Sequence, residues 1–460
     1  MQKLSLWFKE SFPKYLLAAV LVIVPLFPKF PLFSVPGTYV AIRFEDLLLL
    51  LLGIVTLIKI AKNPRAFFRD RITVAFLIFF GVNLVSLLAG VFLTKTVGLS
   101  LGILNYARRI EYLVPYFAVL TLFTKEQITK NLDYFTKILI IVILVSFIYG
   151  LGQKYLSFPL ITTQNNQYSK GVALRWNPGS NITSTFAGNY DLAAFLVVML
   201  PIFITLLFTL RGKWNKIWLF ITAGGGLWLL VNSLSRISQI SYLAAVTLAL
   251  ILSRKFKALA AVLIVSLVFI GFSSNLIARF TSVIDVYYQK IKTVSVNISN
   301  DFNVYAEQTL PSLRPNLPSP TSTPVPVFED RSTSIRLKVE WPAAIRAFSI
   351  NPLLGTGYSS IGLATDNDFL RMLGETGLLG LLAFLLIFAR IGELFVKVIP
   401  KIKDIPELER GFIIGMVGGI IGIFISSTFI DLFEASKFAT IFWFMIGYSV
   451  YLIRSYINEQ

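Results

Sequence analysis

Residues 189–210 read NYDLAAFLVVMLPIFITLLFTL and contain a single charged side chain, Asp191. A helix of roughly 20 mostly apolar residues is long enough to cross the hydrocarbon core of a bilayer. Similar runs recur along the chain, which has 460 residues, 55% of them hydrophobic and only 14% charged. Because a backbone in lipid must satisfy its own hydrogen bonds, long apolar runs without polar–apolar alternation predict helices. The sequence therefore predicts an all-α integral membrane protein.

The apolar runs predict a polytopic bundle of about twelve transmembrane helices. Cytoplasmic loops of membrane proteins carry an excess of Lys and Arg, and a cytoplasmic N-terminus places the more basic loops inside at nearly every connection. We therefore expect both termini in the cytoplasm. The predicted spans lie at residues 15–29, 44–61, 72–94, 99–123, 133–153, 189–210, 215–232, 238–253, 256–273, 370–392, 411–430 and 436–454.

These spans divide the chain into three parts. Residues 1–273 form an N-terminal bundle of about nine spans, residues 274–369 a large extracytoplasmic loop, and residues 370–460 three further transmembrane helices. Within the loop, residues 311–327 read PSLRPNLPSPTSTPVPV. A segment so rich in Pro, Ser and Thr cannot bury enough apolar surface to fold. We expect this Pro-rich insert to be disordered.

Charge and residue usage exclude several kinds of chemistry. The formal net charge is +18, but the basic residues lie mostly in short loops between spans, so they set orientation and do not predict nucleic-acid binding. The chain contains no cysteine, which excludes disulfides and thiolate chemistry. It also contains no histidine, the residue that most often serves as a general base. Any base must therefore be another side chain.

Arginine, acidic residues and glycine are concentrated between Arg336 and Gly380. Four short elements occur there in order: Arg-x4-Trp from Arg336 to Trp341, NPLLGTG at 351–357, DNDFL at 366–370 and GETGLLG at 374–380. In this order they resemble the signature of the O-antigen ligase/polymerase superfamily.

Two upstream elements extend the resemblance, which then covers about residues 184–392. Residues 184–194, STFAGNYDLAA, are similar to the segment that opens a span in the family, and Ser235-Arg236 is similar to the family's Ser-Arg element. Ser184 replaces the usual glycine. The arginine that often precedes that glycine is absent, and Arg175 is the nearest substitute.

The resemblance implies a membrane glycosyltransferase of lipopolysaccharide or exopolysaccharide synthesis in the bacterial cytoplasmic membrane. Such enzymes take a glycan from an undecaprenyl-diphosphate carrier and pass it to the hydroxyl of a glycan or lipid acceptor on the outer face. The resemblance implies no metal and no cofactor, membrane lipid as a partner, and a chain-length regulator protein as a further partner.

A departing diphosphate needs fixed cations, and a guanidinium suits this role because it is always charged and binds phosphate through two N–H groups. The family's two arginines match Arg236 and Arg336. For Arg236 the alternative is an anchor at the membrane interface. Arg175 is a further candidate for substrate binding.

The family's ligases carry their base as the histidine of a His-Asn-x-Tyr-Leu element, and Asp366 stands at that position here. An Asp-Asn version looks like that of the superfamily's polymerases, which favours a polymerase over a ligase. Asp368 is an alternative base. Asp366 is also able to cap the helix that starts at Asn367 or Asp368.

Other candidates for substrate binding lie in the same stretch: Gly355, Gly357, Asn367, Asp368 and Glu375. The two glycines permit a tight turn or present a backbone N–H to a phosphate. Glu375 lies within a predicted span, where a carboxylate facing lipid is expensive, so we expect it to face the interior.

Three charged residues inside the fourth predicted span also need partners: Arg108, Arg109 and Glu111. They could pair with one another or with Glu45 and Asp46, which begin the second predicted span.

Two other function classes fit a chain of this composition. A transporter or flippase has a similar number of spans, but transporters usually consist of paired repeats, and no internal symmetry is visible. A non-catalytic assembly scaffold is suggested only by the Pro-rich insert.

Overall fold

The computed structural model describes residues 11–29, 31–35, 41–160, 174, 175, 177, 179–272, 281, 334–362 and 364–457. The Pro-rich insert and most of the predicted extracytoplasmic loop lie outside these residues. The described chain is built of helices. Its strands form two short antiparallel pairs, β1 (Pro31–Ser34) with β2 (Ala41–Arg43) and β3 (Pro159–Leu160) with β4 (Leu174–Arg175).

The helices before the predicted loop are α1 (Phe12–Leu26), α2 (Phe44–Lys62), α3 (Pro64–Arg69), α4 (Arg71–Leu88, extended by a π turn Ala89–Leu93), α5 (Leu99–Leu122), α6 (Lys125–Tyr155), α7 (Asn189–Thr209), α8 (Lys213–Asn232), α9 (Arg236–Leu252) and α10 (Phe256–Gly271). Those after it are a π turn Arg336–Glu340 leading into α11 (Trp341–Ile350), α12 (Asp368–Val398, followed by a 3-10 turn Ile399–Lys401), α13 (Glu407–Ser426) and α14 (Ser436–Ile457).

Each of the twelve predicted spans overlaps one helix. Within the described residues, six helices are long and apolar enough to cross a membrane by length and composition: Arg71–Leu93, Lys125–Tyr155, Asn189–Thr209, Asp368–Lys401, Glu407–Ser426 and Ser436–Ile457. Three further apolar helices, α1, α9 and α10, are shorter. The helical, membrane-protein character is confirmed, whereas the count of twelve spans stays a prediction.

The most buried helices, α7 and α14, occupy the interior of the bundle, and α7 packs closely on α13. A Cβ at Gly415 of α13 would overlap the backbone of Ile202, so glycine is needed for this approach. On its other side, α13 places Gly418 against Ala245 and Gly422 against Ser241 of α9. Helices α9 and α13 are therefore antiparallel, and the start of α9 lies at the same end of the bundle as the end of α13.

A break in α12 is the feature that shapes the region around the motifs. Gly377 has φ +68° and ψ −172°, which ends the helical path between Thr376 and Leu378. The loop that precedes Gly357 packs its backbone against this break, because the Leu378 N–H donates to the carbonyl of Pro352 at 2.8 Å. A Cβ on Gly377 would overlap the carbonyl of Leu353. Only glycine fits at this position.

Candidate active site

The structure brings Arg336 and Asp366 together, two residues that the sequence singled out separately. Nε and Nη2 of Arg336 both donate to Oδ2 of Asp366, at 3.0 and 2.8 Å. The side chains keep 12% and 24% of their surface exposed, so a ligand can reach them. Tyr190, at the start of α7, also hydrogen-bonds with Arg336. The pair thus lies at the end of the bundle where α7 begins.

The backbone of Asp366 is in the left-handed region, with φ +48°. Residues other than glycine adopt this conformation rarely, and such strain clusters at active sites and ligand clamps. Burial raises the pKa of the Asp366 carboxyl, and the opposing effect of Arg336 does not outweigh it. A higher pKa makes this carboxylate a better acceptor for a proton.

The N-cap of α12 is Asn367, whose Oδ1 accepts from the N–H of Leu370 at 3.0 Å. The hypothesis that Asp366 caps this helix is therefore wrong. The side chain of Asp366 turns to Arg336 and leaves the capping position to its neighbour.

Asp368 lies only two residues beyond Asp366 but is buried. Its carboxylate accepts hydrogen bonds from the backbone N–H groups of Leu432 at 2.8 Å and Phe433 at 3.2 Å. These bonds fix α12 to the segment that joins α13 to α14. The geometry gives Asp368 a structural task and offers no support for its use as the base.

Asp431, in the segment between α13 and α14, was not singled out from the sequence. Its carboxylate accepts from the backbone N–H of Thr365 at 2.7 Å and of Asn367 at 2.9 Å, one on each side of Asp366. It also accepts from Nη1 of Arg371 at 3.0 Å. Asp431 thereby holds the loop that carries Asp366. The only signal in the sequence is an acidic residue between two apolar spans.

Arg371 is the centre of a second charged group, which we call the Arg371 network: Arg371, Asp431, Glu375, Glu434 and Arg109. Besides its bond to Asp431, Arg371 lies 3.4 Å from Glu375 and 3.2 Å from Glu434. Arg109 pairs with Glu434 and donates to the carbonyl of Phe433 at 2.6 Å. All of these residues except Asp431, together with Asp368, line a cavity of about 40 Å³. Glu375 faces the interior, and its role in substrate binding stays a prediction.

Only some of the partners predicted for the charged residues of α5 are confirmed. Nη2 of Arg108 lies 3.5 Å from Asp46, one of the two candidates. Arg109 instead pairs with Glu434, close to the start of α14. That partner was missed because it is distant in sequence and belongs to no motif.

Gly355 and Gly357 adopt left-handed conformations, with φ +67° and +91°. Their N–H groups already donate, to the carbonyls of Asn351 and Glu375, both at 2.7 Å. Of the two alternatives that the sequence left open, the tight turn is the one present. The predicted contact of these N–H groups with a phosphate has no support, because the loop's own turn uses the N–H of Gly355 and α12, just before its break, uses that of Gly357.

The structure describes more of the surroundings of Arg236 than of Arg175. Arg236 begins α9, where the Ser235 side chain accepts from the N–H of Ser238 at 3.4 Å, and this end of α9 lies beside the end of α13. The N–H of Asp368 donates to the carbonyl of Ser427 at 2.9 Å, so the Asp366 loop lies at the same end. For Arg175 the described residues give the backbone, in β4.

Comparison with known families gives a match to part of the chain. Residues 221–385 match the family model described as O-antigen ligase, a stretch that includes Arg236, Arg336 and Asp366. No curated protein matches the chain. The family implies a membrane glycosyltransferase-like enzyme with lipid-linked glycan substrates, in agreement with the six helices that could cross a membrane. Residues 221–385 thus resemble an O-antigen ligase domain, and this match supports a relationship of the chain to the O-antigen ligase/polymerase superfamily.

Proposed function

We propose that the protein transfers glycan units from an undecaprenyl-diphosphate carrier to the hydroxyl of a growing glycan, as an O-antigen or exopolysaccharide polymerase. The contact between Arg336 and Asp366 carries this proposal, since it joins a fixed cation to a carboxylate at a position reachable by substrate. An aspartate at the position of the ligases' histidine favours polymerisation over ligation.

In this reaction the acceptor oxygen forms a bond to the anomeric carbon of the donor sugar, and the bond from that carbon to the diphosphate oxygen breaks. Asp366 takes the proton of the acceptor hydroxyl. The diphosphate leaves as an anion, and its growing charge is stabilised by Arg336 and Arg236. A guanidinium has five N–H donors, so Arg336 retains donors for a phosphate while it holds Asp366.

The surroundings of Asp366 support its use as a base. Burial raises its pKa, and its strained backbone is held by Asp431 from both sides. When a diphosphate binds to Arg336, its negative charge offsets the cation that lowers the pKa of Asp366. Donor binding then strengthens the base, so that proton removal follows donor binding.

The distribution of charge supports a site on the outer face. The starts of α7, α9 and α12 and the end of α13 share one end of the bundle with Arg336. The opposite end carries Arg71 beside Glu393 and Arg454 beside Asp70, both in or next to basic segments. Since basic residues mark the cytoplasmic side, the Arg336 end is the extracytoplasmic one, where a lipid-linked donor presents its glycan.

The test uses the full chain in lipid nanodiscs with a purified polyprenyl-diphosphate-linked glycan, and measures product length. Arg336→Ala should lower the rate by about 10²–10³ because a charge-stabilising donor is lost. Arg336→Lys should recover only part of the rate, since the planar fork is missing. Arg346→Ala, at an exposed position of α11, is the matched control and should keep the wild-type rate. Normal turnover by Arg336→Ala would refute the proposed function.

A further inference from the structure

Glu340 is a carboxylate at the candidate active site that no motif includes. It ends the π turn that begins with Arg336, so the two residues lie about one helical turn apart. Turns of this type occur frequently at functional sites. The sequence drew attention only to the two ends of the Arg-x4-Trp element, and Glu340 lies between them.

One oxygen of Glu340, Oε2, is buried and accepts no hydrogen bond from any residue that the structure describes. A buried acceptor without a donor is destabilising by roughly 1–3 kcal/mol, and each case in a native fold calls for an explanation. A carboxyl that is protonated during part of the reaction provides such an explanation, because its oxygen is then a hydrogen-bond donor.

The charged groups around Glu340 come from three elements. Arg336 belongs to the same turn, Asp366 to the loop before α12 and Asp431 to the segment before α14, while Tyr190 of α7 bonds to Arg336. Burial, followed by the charge of Asp366, raises the pKa of Glu340 to about 7, and Arg336 acts in the opposite direction. Glu340 and Asp366 thus repel each other as anions and favour a state that holds one proton.

We propose that Glu340 is a proton-relay residue that receives from Asp366 the proton removed from the acceptor hydroxyl. As the glycosidic bond forms, the hydroxyl proton moves to Asp366. It then moves to Glu340, which restores the Asp366 carboxylate for the next transfer. Glu340 releases the proton to water on the outer face. No other reagent is needed, and the inference rests on the proposed function of the same site.

The relay gives the transfer rate a defined pH dependence. Glu340 can accept a proton only when ionised, so the rate should fall as the pH drops through about 7, a range well above that of an ordinary carboxyl. Glu340→Gln should lower the rate at pH 8 by roughly 10- to 100-fold and abolish this titration. Glu340→Asp should recover part of the rate and retain a titration. These rates are measured on the full chain in nanodiscs between pH 5.5 and 8.5.

Glu393→Gln is the matched control, because Glu393 is a carboxylate at the opposite end of α12 that pairs with Arg390 and Lys397. It should keep the wild-type rate and pH profile. Donor binding by Glu340→Gln should also be unchanged, since the relay does not touch the diphosphate.

Two results would overturn the relay. One is a Glu340→Gln variant whose rate varies with pH as in the wild type, whatever its absolute rate. The other, decisive if Glu340→Gln does not fold, is a Glu340→Asp variant without any titration in this range. If Asp366→Asn is inactive in the same experiment, only the relay fails. If Asp366→Asn is as active as the wild type, the proposed function itself fails.

Discussion

The Arg336–Asp366 pair and the Arg371 network lie at the two ends of the short segment 366–371, yet their charged groups are bonded differently. Arg371 contacts three carboxylates, and Asp431 accepts from three donors. Among the residues that the structure describes, Asp366 has one cationic partner, Arg336, and both bonds from it go to Oδ2. Its backbone is also strained, at φ +48°. The network is held by several ion pairs, whereas the pair keeps bonding capacity for a ligand.

The number of bonding partners distinguishes charged residues that stabilise the fold from those that react with substrate better than burial does. Arg371 is 17% exposed and Arg336 is 12% exposed, so their accessibility is nearly the same. What differs is how many partners each has. Replacing a charged side chain that has several partners should lower the stability of the protein. Replacing one that has few partners and a strained backbone should lower its activity.

The largest effect is expected from Asp366→Asn. A general base contributes about 10²–10⁴ in rate, so transfer should fall within that range while expression and donor binding persist. Asp366→His should recover some activity if the position of the base is what matters. The comparison variant Asp368→Asn should reduce the folded yield more than the activity per folded molecule. A folded but inactive Asp368→Asn beside a fully active Asp366→Asn would reverse the assignment.

A smaller effect, on stability, is expected from Arg371→Met. Removal of this cation leaves Asp431, Glu375 and Glu434 without a shared partner, which should lower the free energy of unfolding by about 3–5 kcal/mol. Thermal unfolding in detergent measures the loss. Arg390→Met, which removes an exposed partner of Glu393, is the control and should change stability by about 0–1 kcal/mol. If Arg371→Met unfolds like the wild type but is inactive, the network belongs to the reactive site.

The smallest effect is expected from Asn367→Ala, which removes the cap of α12. Loss of an N-cap typically lowers stability by about 1 kcal/mol, and Asn367→Asp should restore the cap. Activity per folded molecule should stay near that of the wild type in both variants. A loss of activity far beyond the loss of stability would instead support the predicted role of Asn367 in substrate binding.

The helices were predictable because hydropathy is a local property, and each predicted span overlaps one helix of the structure. That Arg336 and Asp366 belong to one site could be anticipated from the order of the motifs, since both lie in one recognisable stretch. Whether burial or the nearby cation dominates the pKa of Asp366 could not be decided without the structure. That balance depends on residues far apart in the chain.

Asp431 and Glu434 escaped sequence reasoning for a different reason. They lie in a short segment between two spans, outside every motif, and their partners Thr365, Arg371 and Arg109 are distant in the chain. The glycines at 355 and 357 suggested phosphate because a Gly-x-Gly pattern does not reveal which acceptor its N–H groups meet. Here the acceptors are carbonyls of the same chain.

The break at Gly377 ties the height of the site to the thickness of the bilayer. At 1.5 Å per residue, Leu378–Val398 is about 31 Å long and matches a hydrocarbon core of roughly 30 Å by itself. Asp368–Thr376 then adds only about 13 Å, in a separate direction. In thinner lipid the long part relieves the mismatch by tilting, which shifts Asp366 relative to the head groups, whereas in thicker lipid the bilayer thins locally around it. Acyl-chain length should therefore tune turnover without altering any side chain.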